Sequence, residues 1–536
     1  MRITNNMMLR TTASNINANK LNVNSLNNQM SSQKKISRPS EDPVVAIRAL
    51  RLRSNLSEIN QYYEKNIPDA EAWLEVTETA LNNMESILSD VRTQCNYGAT
   101  GTLKTDDRKA ILTGLTKLRE QLYAEGNSDN AGRTVFTGYR TNSKLTFMTE
   151  EDATYEIEQM FSATDIEKEH RYFKGEAVVP ADTDVANTNT IEELERMSCD
   201  RIRIAYGSLN TDGTKNATTG ETDLAKFKIS YTDGTKDTNG NLVYKDLKAD
   251  GMTTVNGDAV TMKTYATMQD WKDATADFSD GVTDNEVVVI AETGEILLGK
   301  DVSTTIQSKG YSLSVSYEKT GFSKGELRPE YYFNCKDVTD AANPVVYTKY
   351  DGAGKEIPQD IEYTIAVNQT LTINTNASDV FNADAGRDVD EMIDAVQYAM
   401  DAHDKISQIE AMMALEEYAG EEDQKNLQKW LDAATKEADY ADDNLKKLYN
   451  TYIGKFDSYL TDVRLAITTV GSKGDQLELT ETRMSNQQLT VEDLKSSNED
   501  RELSDIIIDY ISAFTAYQGA LQAASKINQN TLLNYI

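Results

Sequence analysis

The stretches LRTTASNINANKLNVNSLNNQM, residues 9–30, and LSDIIIDYISAFTAYQGALQAA, residues 503–524, decide the fold expected for the whole chain. In each, positions on one narrow face recur at alternating steps of three and four residues. They are Leu9, Thr12, Ile16, Asn19, Val23, Leu26 and Met30, then Leu503, Ile507, Tyr510, Phe514, Tyr517, Leu521 and Ala524. Such alternation is typical of the seam along which helices pack in a coiled coil. We predict two terminal helices that pair with each other and with copies of the same chain.

The assembly interface predicted from these seams consists of their larger apolar members. These are Leu9, Ile16, Val23, Leu26, Met30, Leu503, Ile507, Tyr510, Phe514, Tyr517 and Leu521. The N-terminal seam offers few large apolar side chains, and residues 5–28 include nine Asn, a poor helix former. We therefore expect both termini to be mobile in the free monomer and to become helical on assembly.

Composition excludes several function classes. The chain has 536 residues, enough for about two to four domains, and a net charge of −32. Nucleic acid is a poor partner for such a chain, because phosphate binding requires Lys and Arg. Residues 1–60 nevertheless carry nine Lys or Arg against three Asp or Glu. This basic start is either a solvated helix face or a surface attracted to an acidic partner.

The residues that usually perform chemistry are scarce or scattered. Cys95, Cys199 and Cys335 lie far apart without a CxxC motif, and His170 and His403 are the two histidines. Neither a zinc site nor a disulfide framework is indicated, and Cys95 is expected to be an inert, packed thiol. Acidic pairs such as Asp106-Asp107 and Glu416-Glu417 are expected by chance among 87 acidic residues. We predict no enzyme activity, no cofactor and no metal site.

Asp237, Asn239, Gly240 and Asn241 partly resemble a calcium-binding loop. With Gly240 at the sixth position of an EF-hand, the first position is Thr235 and the twelfth is Asp246, where the motif needs an acid and a bidentate Glu. Strand-like flanks also disagree with the motif, so a hairpin turn at Asn239-Gly240 is favoured.

The segment SSQKKISRPSEDP, residues 31–43, separates the first helix from a second one. Its Arg-Pro and Asp-Pro steps disfavour helical geometry. Ser40 or Asp42 can cap the following helix, with Pro43 at a first helical position.

The second helical region carries a long seam that Pro68 should kink or split. A third helix is predicted from Asp106 to about Tyr123, and a turn with a short hairpin over 126–141. The seam members are Leu52, Leu56, Ile59, Tyr63, Asn66, Ala70, Trp73, Thr77, Ala80, Met84, Ile87 and Val91.

Residues 148–375 have a different pattern, in which short apolar and polar alternations replace the heptads. Strands are predicted around Phe227–Tyr231, Tyr311–Tyr317 and Ile361–Val367, and a strand pair in EVVVIAETGEILLG from Glu286. Thr, Asp and Gly separate them. We predict a β-rich insertion of one or two lobes, with loose polar loops near 180–222.

Helices return at about Asp379, on a face that includes Met392, Val396, Ala399, His403, Ile406 and Met413. The acidic stretch 416–443 is predicted to be a solvated surface. The cleanest seam follows: Tyr449, Tyr452, Phe456, Tyr459, Val463, Ala466, Val470, Leu477, Met484, Val491 and Leu494. Its tyrosines are expected to be core residues whose hydroxyls reach the edge.

The predicted fold is mainly α with an inserted β-rich domain, an elongated multi-domain rod with paired N- and C-terminal helices. Residues 1–42 and 493–536 would form a coiled-coil assembly domain. Residues 43–147 and 376–492 would fold back on each other as a helical rod domain with a short β-hairpin, and 148–375 would form the outer β-rich domain. No apolar run reaches the ~20 residues of a membrane span, and no cleavable signal peptide is visible.

Four segments resemble the bacterial flagellar hook-associated protein 3 family, relatives of flagellin. They are MRITNNMM at the start, SSQKKISRPSEDPVVAIRAL at 31–50, QYYEKNIPDAEAWL at 61–74 and AFTAYQGALQAASKINQNTLLNYI at the end. The resemblance covers roughly 1–145 and 450–536. It implies an inner coiled-coil tube, a surrounding rod and an outward β domain.

The same resemblance implies a function and partners. Family members join hook-associated protein 1 to the flagellin filament and leave the cell through the flagellar type III export channel. A cytoplasmic chaperone on the C-terminal helix is expected, and the location is extracellular. Two other functions stay open: a flagellin that forms the filament itself, and an enzyme or carbohydrate-binding module in 148–375.

Overall fold

The computed structural model describes residues 5–99, 103–275, 278 and 281–529. Helices dominate both ends of this part of the chain. They are α1 (Asn5–Ser32), α2 (Pro43–Gln61), a π-helix (Tyr62–Asn66), α3 (Ile67–Ala99), α4 (Thr105–Gln121), α5 (Met268–Ala274), α6 (Lys300–Lys309), α7 (Ala383–Met413), α8 (Glu421–Glu499) and α9 (Leu503–Gln529).

The strands occupy the middle of the chain, apart from the short hairpin that precedes them. They are β1 (Asp129–Asn130), β2 (Arg133–Thr134), β3 (Glu151–Phe161), β4 (Glu167–Lys174), β5 (Glu195–Arg203), β6 (Lys228–Thr232), β7 (Lys245–Asp246), β8 (Thr261–Tyr265), β9 (Glu286–Ile290), β10 (Glu295–Leu298), β11 (Ser312–Phe322), β12 (Asn334–Asp337), β13 (Val345–Tyr347), β14 (Glu362–Ala366) and β15 (Gln369–Thr372). The predicted fold class, mainly α with an inserted β-rich region, is confirmed.

The chain divides into two compact units. The first comprises 1–71, 362–371 and 473–536, and the second 72–361 and 372–472. The three-domain division of the sequence stays a prediction. Residues 1–4 and 530–536, which belong to its terminal domain and to two of the quoted segments, lie outside the described residues.

The first unit contains the break predicted at 31–43. Helix α1 ends at Ser32, and Asp42 caps α2 by accepting hydrogen bonds from the amides of Val44 (2.9 Å) and Val45 (3.1 Å). Pro43 occupies the first helical position, where its missing N–H costs nothing.

Pro68 splits the second helix by way of a π-helical turn. The amide of Ile67 donates to the carbonyl of Tyr62, five residues back. A proline cannot donate to the carbonyl four residues before it, and its ring crowds that carbonyl, so a widened turn before Pro68 relieves the conflict. The strand β14 lies beside this turn, where the Asn66 side chain donates to the carbonyl of Thr364 at 2.7 Å.

The second unit contains two sheets of different size that share a core. The five-stranded sheet has the order β4-β5-β10-β9-β8 and the six-stranded sheet the order β13-β12-β3-β11-β6-β7. Pairing is antiparallel except between β8 and β9. Buried side chains of both sheets, such as Val289 and Val315, belong to one hydrophobic cluster. The strand pair predicted from Glu286 is the β9–β10 hairpin.

This unit also contains α4, α5, α6, α7 and most of α3 and α8, and α3 packs closely on α7 and α8. The Sγ atom of Cys95 lies 3.2 Å from the Sδ atom of Met392, and Arg464 pairs with Glu85 at 2.6 Å. Gly98 faces the ring of Tyr449, where an added Cβ would lie 2.3 Å from a ring carbon. Within this unit, helices from the two ends of the chain therefore pack against each other.

A buried ion network attaches the sheet to these helices. Arg201 and Arg203 alternate on β5, so their side chains share one face of the strand. Arg201 pairs with Glu167 and Glu391 at 2.7 Å each, and Arg203 with Glu391 at 2.8 Å and with Asp388. Burial alone would raise the pKa of Glu391, but Arg201 holds it well below its usual range. The Glu391 carboxylate therefore stays charged.

Three sequence predictions for this unit are wrong. The loose loops expected near 180–222 include β5, a paired strand of the five-stranded sheet. The stretch 416–443 is not merely a solvated surface, because Leu427, Trp430 and Ala434 pack in a core with Ile409. The tyrosine hydroxyls do not reach an edge.

The contacts of those tyrosines explain the last correction. The Tyr452 hydroxyl donates to Glu391 at 2.5 Å and that of Tyr459 to Asp388 at 2.8 Å, while Tyr449 is also buried. At the far end of the same seam, Leu494 is exposed rather than packed.

The close approach at Gly98 gives a matched pair of substitutions. Gly98→Ala should lower the free energy of unfolding by about 1–3 kcal/mol, because the new methyl group clashes with the buried Tyr449 ring. Gly454→Ala, in α8 with nothing near its Cβ position, should raise it by about 0.5–1 kcal/mol. Urea unfolding followed by tryptophan fluorescence tests both, since Trp73, Trp271 and Trp430 all belong to the second unit. Equal effects of the two substitutions would contradict this packing.

Candidate assembly surface

Helices α1 and α9 of the first unit lie against each other. All seven predicted seam positions of α1 are at least partly buried, and Leu26 is only 6% exposed. They are Leu9, Thr12, Ile16, Asn19, Val23, Leu26 and Met30. The other described side chains of α1 are exposed except Gln29. The predicted seam and the predicted pairing of the terminal helices are confirmed on this side.

On α9 the protected face is offset from the predicted seam. It comprises Ile506, Tyr510, Ala513, Tyr517, Ala520 and Ala524. Of the predicted interface residues, Tyr510 and Tyr517 belong to this face, whereas Leu503, Ile507, Phe514 and Leu521 are exposed. With roughly 100° of rotation per residue, the predicted seam runs between the protected face and an exposed apolar stripe beside it.

The exposed apolar stripe of α9 consists of Leu503, Ile507, Ile508, Ile511, Phe514 and Leu521, each 39% to 65% exposed. A helix that is apolar on two neighbouring faces has more apolar surface than one partner helix covers. The stripe belongs to a wider trend. Sixteen of the 27 exposed large apolar side chains in the described part of the chain lie in the first unit, which is much the smaller unit.

Ion pairs hold the connection between the terminal helices and the rest of the first unit. The backbone amide of Lys35 donates to the carbonyl of Glu499 at 2.7 Å, and the amide of Arg501 donates to the carbonyl of Gln33 at 3.0 Å. Arg53 of α2 donates two hydrogen bonds to the Glu499 carboxylate, at 2.8 and 2.6 Å. We call this group, together with Lys34 and Asp500, the junction cluster. The hydrogen bonds from Arg53 lower the pKa of Glu499, and the bond from Lys34 lowers that of Asp500.

The other residues that the sequence singled out have ordinary structural roles. Burial raises the pKa of the Cys95 thiol to about 12, so the thiol is inert, as predicted. The side chain of Asp237 accepts from the amides of Asn239 and Asn241 in a turn with Gly240 at positive φ, as the hairpin prediction requires. In the described ranges no group of His, Cys, Asp and Glu has an arrangement that could hold a metal ion. No helix in that part of the chain has the length and apolar character needed to cross a membrane.

Comparison with known proteins places these helices in context. Residues 3–141 match the model of the bacterial flagellin N-terminal helical region. Because of this similarity we call residues 3–141 the flagellin-type region. Flagellar hook-associated protein 3 of Salmonella typhimurium is 32% identical over 145 residues, which are 27% of this chain and 45% of that protein. Its counterpart in Escherichia coli is 32% identical over 117 residues, 22% of this chain and 36% of that protein.

The resemblance predicted from the sequence is thus confirmed for the flagellin-type region. The matched residues span less than half the length of each hook-associated protein 3 described above. Among solved structures, a putative flagellar hook-associated protein from Vibrio parahaemolyticus has 13% identity and a TM-score of 0.33, covering 86% of this chain and all of that one. A flagellar junction protein from Legionella pneumophila has 12% identity and a TM-score of 0.28, covering 85% and 100%.

The expected mobility of the terminal helices stays a prediction, and the packing supports it. Among the described side chains of α1 and α9, Leu26 and Ile506 are the two fully buried apolar ones. Two such contacts are too few to offset the entropy of ordering both helices. In dilute monomer, amide hydrogen exchange should therefore be fast over Leu9–Met30 and slow over α3. Strong protection of Leu9–Met30 in the monomer would contradict this.

The junction cluster should make the flagellin-type region sensitive to acid. A carboxylate whose pKa is lowered by folding stabilises the fold above the ordinary Glu range near pH 4.3 and loses this effect as pH falls through the lowered pKa. Amide protection at Lys35 should fall as pH is lowered from 6 to 3. Glu499→Gln should reduce this protection at pH 7 and flatten its pH dependence, while the exposed Glu502→Gln should change neither. The same pH dependence in all three proteins would exclude the cluster as its source.

Proposed function

We propose that this chain is a structural subunit of the bacterial flagellum that joins the hook-associated ring to the flagellin filament. It acts by self-assembly of its terminal helices and has no catalytic step or cofactor. The observation that carries the proposal is the exposed apolar stripe of α9 on a helix pair that begins with a flagellin-type region. Both relatives described above are named flagellar hook-associated protein 3.

The mechanism follows from the two apolar faces of α9. One face packs on α1 of the same molecule, and the exposed stripe would pack on the terminal helices of a neighbouring copy. The two surfaces are different, so the contact is heterologous and repeats around an axis. The proposed interface comprises the α1 seam members Leu9, Ile16, Val23, Leu26 and Met30 on the intramolecular side and, on α9, Tyr510 and Tyr517 with the exposed Leu503, Ile507, Phe514 and Leu521.

Charge supports a polar arrangement of the copies. Residues 1–60 carry nine Lys or Arg against three Asp or Glu, in a chain of net charge −32. A basic start can therefore face the acidic surface of a neighbouring flagellar subunit, which favours association. The proposed neighbours are copies of this chain, hook-associated protein 1 and flagellin, with an export chaperone on the C-terminal helix before assembly. The proposed location is the extracellular flagellum, reached through the flagellar export channel; no nucleic acid or membrane is involved.

A second candidate function is that of a flagellin, because the matching family model describes the flagellin N-terminal region itself. The two functions differ in what the purified protein does alone. A junction subunit needs another protein to nucleate its ring, whereas a flagellin polymerises into long filaments. Electron microscopy of the concentrated protein, alone and with purified flagellin filaments, separates them.

Substitution within the α9 stripe tests the proposed interface. Ile507→Asp and Phe514→Asp, alone and together, place a carboxylate on an exposed position, so the monomer should stay folded by circular dichroism and tryptophan fluorescence. In an assembly each carboxylate would be buried without a partner, which costs several kcal/mol, so incorporation into flagella should fall at least 100-fold. Cells that express the variant instead of the original chain should shed their filaments into the medium.

Val346→Asp is the matched control, since Val346 is equally apolar, 67% exposed and lies on β13 in the second unit. It should leave filament retention unchanged. Retention of filaments by the double variant, with the variant chain detected in them, would refute the interface.

A further inference from the structure

Helix α2 and the last part of α8, residues 473–499, lie side by side in the first unit and run in opposite directions. The Asn498 side chain donates to the backbone carbonyl of Val45, near the start of α2, at 3.1 Å. At the other end of α2, the Gln488 side chain donates to the Asn60 side chain, also at 3.1 Å. Each helix therefore covers one face of the other and has an outer face on the opposite side.

The outer face of α2 is apolar with a basic edge. Val44, Ile47 and Leu50 are 60%, 53% and 62% exposed. With roughly 100° of rotation per residue, these three lie opposite the buried residues of the same helix. Arg48 and Arg51 border them and are exposed, and within the described residues neither arginine has an ion pair or a hydrogen bond. This face therefore has both apolar surface and positive charge without a partner.

The outer face of α8 is apolar with an acidic residue at its centre. Leu489 and Leu494 are 58% and 53% exposed. The exposed Asp493 lies between them around the helix, on the side opposite the buried Leu477 and Met484. In the part of the chain that the structure describes, Asp493 has no ion pair. This face therefore has apolar surface and negative charge without a partner.

The charges of the two helices are complementary. Helix α2 carries three Arg against one Glu, whereas residues 473–499 carry six Asp or Glu against three Lys or Arg. Two α2 faces in contact would bring arginines together, and two α8 faces would bring carboxylates together. Like charges at an interface are costly, so each face selects the other face and not a copy of itself.

The two outer faces also lie at the same height along the helix pair. Val45 and Asn498 are in contact, and Leu50 and Asp493 each lie five residues further along, a rise of about 7.5 Å in the same direction. A contact between two different faces at equal height, on opposite sides of the pair, relates neighbouring copies mainly by rotation. Such a heterologous contact repeats around an axis and can close into a ring.

We propose that the α2 outer face of one copy docks on the α8 outer face of the next copy. The apolar residues of the two faces would pack together, and Arg51 would pair with Asp493 of the neighbour. This inference rests on the proposed function, because it concerns the same assembly. It adds to the α9 stripe a second contact between copies, which lies outside the terminal helices and gives the row of copies its direction.

Disulfide cross-linking between two variants of the full-length chain tests the contact without requiring a flagellum. One chain carries Ile47→Cys and the other Leu489→Cys, both with Cys199→Ser, because the remaining two cysteines are buried. The concentrated mixture is oxidised mildly, and the same pair is expressed together in cells for cross-linking in isolated flagella. We expect a dimer of unlike chains, since a specific contact raises the effective concentration of the two thiols.

The matched control for this experiment is Leu465→Cys in place of Leu489→Cys. Leu465 also belongs to α8 and is similarly exposed, at 66%, but lies in the second unit. It should give about tenfold less dimer with Ile47→Cys, because no contact holds those two thiols together.

The possible results separate this contact from the proposed function. Dimers of unlike chains in the concentrated protein but not in flagella would support the contact and count against the flagellar function. Their absence from both samples would overturn the contact. Equal amounts of dimers of like chains, or cross-links to another flagellar protein in place of a second copy, would overturn it as well. The proposed function would still stand if the α9 variants shed their filaments.

Charge reversal tests whether the complementary charges drive the docking. Arg51→Glu and Asp493→Arg should each lower incorporation into flagella about tenfold, because each places like charges at the contact. The two substitutions in one chain exchange the signs of both faces and should restore incorporation. Lys436→Glu, an exposed charge reversal in the second unit, should change nothing. Full incorporation of both single variants, or no recovery in the double variant, would overturn the proposed contact, with circular dichroism confirming that the variants are folded.

Discussion

Helix α9 cannot bury all of its apolar surface within one molecule, and the proposed function of the first unit depends on this constraint. Ile506, Tyr510 and Ala513 follow one face that α1 covers, and Ile507 and Phe514 follow the next. Apolar surface left in water is unfavourable in proportion to its area, and long exposed stripes in soluble proteins mark interaction sites. The α1–α9 pair is therefore too sparsely packed to be the final state.

A different physical solution operates in the second unit. There the β-rich region is attached to α7 and α8 through charges, with Arg201 and Arg203 of β5 buried against Glu391 and Asp388. Buried ion pairs add little net stability but are costly to break one member at a time. Their value here is geometric, because each guanidinium donates to carboxylates on different elements and so fixes the direction of β5 relative to the helices. The second unit can therefore be folded before any assembly occurs.

Helical seams were predictable from the sequence because their period is local. The sequence identifies all seven seam positions of α1 and the seam members from Leu52 to Val91. Burial of one helix face produces a repeat in the sequence that does not depend on distant residues. The α9 face was predicted less well. A helix with two adjacent apolar faces gives one averaged seam, and which face meets α1 depends on tertiary packing. An interruption of the helix near Pro68 follows from proline chemistry. That the interruption is a π-helical turn does not.

The strand β5 shows why other features could not be predicted. Its inward face carries Arg201 and Arg203, so the alternation of polar and apolar residues that marks a strand is absent from ERMSCDRIR. Carboxylates from β4, β10 and α7, the last nearly two hundred residues later in the chain, make arginine acceptable there. The same holds for Glu437, which is 1% exposed within the acidic stretch 416–443 and pairs with Lys405 at 3.2 Å. Charged residues were interpreted as solvated because single residues carry no information about a distant partner.

The second unit encloses a cavity of about 830 Å³ between its sheets and its helices. This cavity follows from the same ion network, which explains why no sequence pattern indicates it. Arginines that reach from a sheet to a helix hold the two apart by the length of their side chains, and apolar packing cannot fill the remaining space without burying further charge. Arg387 extends from α7 to the carbonyl groups of Ile204 and Thr293 across this gap. A charged interface between a sheet and a helix layer therefore tends to enclose a polar cavity, here lined by both arginines and carboxylates.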